Sequence, residues 1–152
     1  MTQPGIIHEI TLDARLDNLP HFRDFIDRSC RNCTVDDSTC HDIKMAVDEA
    51  CTNIVTYGYK NASPGLITLV FFRDTDRIVI KILDNAEPFH PENAPEPDMD
   101  APWEKRGIGG LGMYLIGRLM DEISYQSGTE AGNCLTLVKR FPRLENEQPV
   151  NS

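Results

Sequence analysis

Between Asp42 and Tyr59 the apolar residues Ile43, Ala46, Val47, Ala50, Ile54 and Tyr57 recur at steps of three and four, the period of a helix with one packed face. Glu49 and Asn53 stand four apart on the adjoining surface, so they point the same way from successive turns and offer a carboxylate and an amide to one small volume. Asp36, Asp37 or Ser38 can cap the start of this helix, and Gly58 with Asn61-Ala62-Ser63-Pro64-Gly65 stops it. Upstream, Ile6, His8, Ile10 and Leu12 alternate with Ile7, Glu9, Thr11 and Asp13, the period-two pattern of a strand near a sheet edge. Asp17 or Asn18 can cap a helix with Pro20 in its first turn, and Leu19, Phe22, Phe25 and Ile26 give it an apolar stripe as far as about Cys33.

Residues 66–72 and 77–83 are β-branched and aromatic runs joined by Arg73-Asp74-Thr75-Asp76, which predicts a hairpin. The second run ends in Asp84-Asn85-Ala86-Glu87-Pro88-Phe89, and Pro91, Pro95, Pro97 and Pro102 then exclude regular structure from 90–102, a long acidic loop read as a lid. A helix follows over Met113, Tyr114, Leu115, Ile116, Leu119 and Met120. Strands over 122–127 and 134–141 close the pattern across the turn Gly128-Thr129-Glu130-Ala131-Gly132-Asn133, and the polar tail 142–152 is expected to fray. Strands joined by hairpins, with helices gathered elsewhere in the chain, predict an α/β (α+β) two-layer sandwich. Its sheet is mixed and mainly antiparallel, and the helices near 18–33, 37–58 and 110–121 cover one face.

Composition changes this picture little. At 152 residues, 40% hydrophobic and 26% charged, the chain suits a single domain with its core over about 6–141. No run approaches the 18 or so apolar residues of a membrane span, and MTQPGIIHEI lacks the basic and apolar regions of a secretory signal, so a cytoplasmic protein is expected. A net charge of -9 argues against a nucleic-acid partner. It leaves room for a nucleotide, because backbone N–H groups and a divalent cation can hold a polyphosphate inside an acidic protein. The five cysteines are expected to be reduced. Cys30, Cys33, Cys40 and His41 have a loose metal-ligand spacing without a second paired motif, so packing competes with metal binding there, and Cys51 and Cys134 read as small core residues.

The chemistry concentrates in Arg106-Gly107-Ile108-Gly109-Gly110-Leu111-Gly112. Four glycines in six residues let the backbone approach a ligand closely, and the helix that follows aims free N–H groups at the same point, the outline of an anion site. A hinge before a helix would need only one or two glycines.

Taken in order, Glu49-x-x-x-Asn53, Asp84-Asn85-Ala86-Glu87-Pro88-Phe89 and Gly107-x-Gly109-Gly110-Leu111-Gly112 resemble the N box and the two glycine boxes of the GHKL, or Bergerat-fold, ATPase superfamily. Within it the chain is most similar to the anti-sigma-factor serine/threonine-protein kinases. That resemblance implies that ATP and Mg²⁺ bind. Asn53 would be the metal ligand and Glu49 the catalytic carboxylate that accepts the proton of a substrate hydroxyl. Asp84 would accept a hydrogen bond from the adenine amino group, with Ala86 beside the base. Gly107, Gly109, Gly110, Leu111 and Gly112 would line the phosphates beneath the lid. The implied partners are a sigma factor and a small antagonist protein that is phosphorylated on serine or threonine, and a homodimer is compatible with the resemblance.

Ala86 departs from the glycine most often found at its position, which adds one methyl near the base. A chain of 152 residues also leaves no room for the phospho-accepting helical hairpin of a histidine kinase. Two alternatives stand beside the kinase. One is an ATP-binding regulatory module without transfer activity, for which Glu49 would be dispensable. The other is a dinucleotide enzyme reading G-x-G-x-x-G at Gly107, Gly109 and Gly112, a motif that should follow a strand and here follows a proline-rich loop.

Overall fold

The computed structural model of the chain describes residues 6–59, 65–86, 115–129 and 132–141. The expected lid, the glycine-rich motif at 106–112, the residues 87–89 and the tail lie outside them.

Five strands, β1 (Ile6–Asp13), β2 (Leu66–Arg73), β3 (Arg77–Asp84), β4 (Glu122–Thr129) and β5 (Gly132–Arg140), form one sheet in the order β1-β2-β3-β5-β4. All four neighbouring pairs are antiparallel. The pairing of β3 with β5 carries the chain past β4, which is left at the edge opposite β1. Alternation decides the faces: Ile67, Leu69 and Phe71 of β2, Ile78, Ile80 and Ile82 of β3, and Leu135 and Leu137 of β5 are all buried on one side. On β1, Ile10 and Leu12 pack against the same core while Ile7, Glu9, Thr11 and Asp13 face solvent, as the alternation predicts for an edge strand. Cys134 lies on the other face, half-buried beside Thr136, and so is not the core residue its composition suggested.

The buried face is covered by α1 (Leu19–Asn32) and α2 (Asp37–Asn53). α1 contributes Phe22, Phe25, Ile26 and Cys30 to the core. It starts from a 3-10 turn at Leu16–Asn18, and Asn18 does not cap it through its side chain but spends its amide on the Asp13 carbonyl. It ends where Thr34 takes a φ of 58° and the Val35 N–H reaches back to the Cys30 carbonyl, closing the last turn in a Schellman arrangement. The Arg73 guanidinium bonds the Cys33 carbonyl and lies 4.5 Å over the Phe141 ring, tying the end of β2 to this corner. α2 is capped by Asp36, whose carboxylate accepts the Thr39 N–H at 3.0 Å, and buries Ile43, Ala46, Val47, Ala50 and Cys51. Residues 115–119 are helical and add Ile116 to the same core.

The last turn of the second helix departs from its simple period. After Asn53 the backbone widens into a π-helical turn, Ile54–Gly58, closed by the Tyr59 N–H on the Ile54 carbonyl at 3.0 Å. The five-residue closure shifts the facing of side chains, so Tyr57 is 41% exposed and Tyr59, at 8%, enters the core in its place.

Candidate functional site

α2 holds Glu49 and Asn53 one turn apart, both half-buried, as the four-residue spacing requires. Burial raises the Glu49 carboxyl above its ordinary range, and the negative charge of neighbouring Asp48 adds to the rise. Asp48 is itself paired with Arg23 of α1, a cation thereby engaged away from Glu49.

Beyond the π turn, the Tyr59 hydroxyl donates to the Leu66 carbonyl at 3.1 Å and accepts the Asn85 N–H at 2.8 Å. One phenol thus joins the end of α2, the start of β2 and the residue after β3. Asp84, the last residue of β3, is 7% exposed. Its Oδ1 accepts the Ala86 N–H at 2.8 Å and the Asn133 amide at 2.9 Å, and the same amide nitrogen donates to the Ala86 carbonyl at 2.9 Å. Asn133 is 3% exposed and sits directly opposite Asp84 in the β3–β5 register. Burial raises the Asp84 carboxyl, while the two donors pull it back down. Through the Tyr59 phenol, the turn that ends the second helix and the residue after β3 border one region.

Gly132 completes the corner. Its φ is +95°, and a Cβ there would land on the Asp84 carbonyl oxygen and the Asn85 side chain. Gly132→Ala is expected to cost about 1–3 kcal/mol from strained backbone and overpacking together. A thermal melt checks it, and an unchanged midpoint would show that the corner is loosely held.

Of the residues expected to form a site, Glu49, Asn53, Asp84 and Ala86 are described. Gly107, Gly109, Gly110, Leu111 and Gly112 lie outside the described residues. Tyr59 and Asn133 escaped sequence reasoning. Tyr59 lies past a π turn that no periodicity announces, and Asn133 reads as the last residue of the turn Gly128-Thr129-Glu130-Ala131-Gly132-Asn133.

The cysteine cluster has another explanation. The Cys40 thiol donates to the Asp27 carboxylate at 3.6 Å, Asp27 pairs with Lys44 at 3.0 Å, and His41 is exposed. Burial pushes the Cys30, Cys33 and Cys40 thiols up, which keeps them protonated between α1 and α2. Among the described residues no group of three or more His, Cys, Asp or Glu side chains is placed to hold a metal ion. No helix among them is long and apolar enough to cross a membrane.

Residues 12–139 match the family model described as the histidine kinase-like ATPase domain. The chain belongs to that family. Among relatives of this ATPase domain, the serine-protein kinase RsbW of Bacillus cereus is 37% identical over 114 residues, which are 72% of this chain and 69% of the relative. RsbW of Bacillus mycoides is 36% identical over 114 residues, with the same shares of 72% and 69%. The fold agrees with the RsbU and RsbW domains of a Mycobacterium tuberculosis protein at a TM-score of 0.66 and 20% identity, over 91% of this chain and 32% of that one. It also agrees with the histidine kinase domain of an Erythrobacter litoralis blue-light-activated kinase at a TM-score of 0.51 and 16% identity, over 82% of this chain and 60% of that one. The two-layer sandwich expected from the sequence is thus the fold of a kinase-like ATPase, with every described strand pair antiparallel.

Proposed function

We propose that this protein is an ATP-dependent serine/threonine-protein kinase that also acts as an anti-sigma factor, binding a sigma factor and phosphorylating a small antagonist protein in a partner-switching system. The observation that carries the reading is the buried Asp84 carboxylate at the end of β3, whose following residue, Asn85, is tied through the Tyr59 phenol to the turn that ends the helix bearing Glu49 and Asn53. An adenine amino group donating to Asp84 would direct the phosphates of ATP toward that helix. There Glu49 accepts the proton of the attacking hydroxyl.

The donor set fits Mg²⁺. Asn53 offers a neutral oxygen one turn from the half-buried Glu49, whose carboxyl is raised first by burial and then by the charge of Asp48, and a cation would offset both. Asn53 would hold the ion, which when bound supplies charge neutralisation at the phosphates. Gly107, Gly109, Gly110, Leu111 and Gly112 would line the phosphates, with the proline-rich segment as a lid. The reading puts the protein in the cytoplasm with its sigma factor and is compatible with a homodimer.

Glu49 also weighs against the module that merely holds ATP. Half-burying a carboxylate beside another acid costs free energy that nucleotide binding alone does not require. The test is calorimetry with ATP and GTP in the presence of Mg²⁺, alongside transfer of labelled γ-phosphate to the antagonist captured from the native cell. Preference for ATP and label on a serine or threonine are expected. Binding without transfer to the confirmed antagonist would leave the regulatory module standing, and equal affinity for ATP and GTP would remove Asp84 as the adenine acceptor.

A further inference from the structure

Asn133 is a costly residue for its position. It is 3% exposed, on the buried face of β5, where Leu135 and Leu137 follow it at the next inward positions. An amide there must find partners or lose free energy, and an aliphatic side chain would have packed without that demand. Its partners are specific. The amide nitrogen bridges the Asp84 Oδ1 and the Ala86 carbonyl, both at 2.9 Å, and so braces the two ends of the turn by which the chain leaves β3. The Ala86 N–H lands on the same Oδ1 at 2.8 Å. Among the described residues, both bonds that reach the carboxylate fall on one oxygen.

We infer that Asn133 is a positioning residue for purine recognition: by holding Oδ1 of Asp84 inside the protein, it makes Oδ2 the oxygen shown to the base and keeps that oxygen an acceptor. This rests on the proposal that Asp84 receives the adenine amino group, and it adds the group that sets the orientation. An acceptor aimed this way suits the amino group of adenine and repels the carbonyl oxygen that guanine carries at the same place. Among the described residues, the other titratable groups that interact with the Asp84 carboxylate are Tyr59 and Cys51. Burial raises both, so neither contributes a competing charge near neutral pH.

The experiment compares the full-length parent with Asn133→Ala and Asn133→Asp, measuring ATP and GTP affinity by calorimetry across pH and checking folding by circular dichroism. Asn133→Ala removes a donor from a buried carboxylate. It should lower ATP affinity about tenfold, the scale of one hydrogen bond to a charged group. It should also narrow the preference for ATP over GTP and shift the acid loss of ATP binding to higher pH, because Asp84 then holds its proton more tightly. Asn133→Asp keeps the shape and reverses the polarity. Its ATP affinity should improve as pH falls until one proton bridges the two carboxylates, a slope opposite to that of the parent. If Asn133→Ala does not fold, that reversed slope alone decides the matter. A uniform weakening with neither nucleotide preference nor pH profile altered would overturn the proposal and leave Asn133 a structural residue. The underlying reading fails separately, through a parent that does not discriminate ATP from GTP or an Asp84→Asn variant that binds ATP unchanged.

Discussion

Glu49→Gln is expected to leave ATP bound and to lower phosphoryl transfer about 10²–10⁴-fold, the range for removal of a positioned general base. The amide keeps the length and planarity of the carboxylate, so α2 and its contacts remain. What disappears is a proton acceptor whose affinity for the proton has been raised, first by burial and then by Asp48. A base tuned upward in this way is also titrated earlier. Transfer by the parent should fall as pH drops through the raised Glu49 value, because the protonated form has nothing left to accept with. Asn53→Ala should behave differently and lose Mg²⁺-dependent nucleotide binding together with transfer, since it removes a metal ligand rather than a base. Labelled phosphate transfer and calorimetry on the two variants separate chemistry from occupancy. Undiminished transfer in Glu49→Gln would strike Glu49 from its role.

The parts of this fold that were legible in the sequence are those in which one local rule acts without competition. β1 has a strict period of two, and its inward and outward residues face as that period dictates, because an edge strand on one packed face obeys nothing else. Asp36 caps α2 because a short acceptor before a helical stripe has a free N–H to meet three residues on. Legibility failed where tertiary contacts override the local pattern. Tyr57 fits the helical period, yet the turn widens after Asn53. Tyr59 is drawn inward by an acceptor from β2 and a donor from Asn85, residues far along the chain. Asn133 follows a glycine and resembles turn chemistry. Its role depends on facing Asp84 across the β3–β5 register, a pairing of strands far apart in the chain. Of the residues that bear chemistry in the proposed site, Glu49 and Asn53 stood out by their four-residue spacing on one helix surface, and Asp84 by the resemblance of the segment it opens to a glycine box. The residues that hold them did not.

Asp84→Asn should produce a trade between stability and binding. The neutral side chain can keep its oxygen where Oδ1 now lies, accepting from the Ala86 N–H and the Asn133 amide, and this leaves its own NH₂ toward the base. A donor then meets the adenine amino group. ATP affinity should fall about 10- to 100-fold, the worth of a hydrogen bond to a charged acceptor, with GTP losing less. Stability should move the other way. Burial lifts the Asp84 pKa in the folded protein above its unfolded value, so the folded state retains the proton to higher pH. The ionisation of Asp84 therefore begins to oppose folding as pH rises past the unfolded value. Its effect is complete above the folded value and absent below both. The amide has no such titration, so the variant without nucleotide should melt above the parent at neutral pH, and the gap should close in acid. Adding ATP with Mg²⁺ should raise the melting temperature of the parent far more than that of the variant, because only the parent's folded state gains binding energy from it. Melting curves across pH, with and without ATP, test both halves. A variant that melts below the parent at neutral pH while binding ATP as tightly would contradict the burial argument and the adenine assignment together.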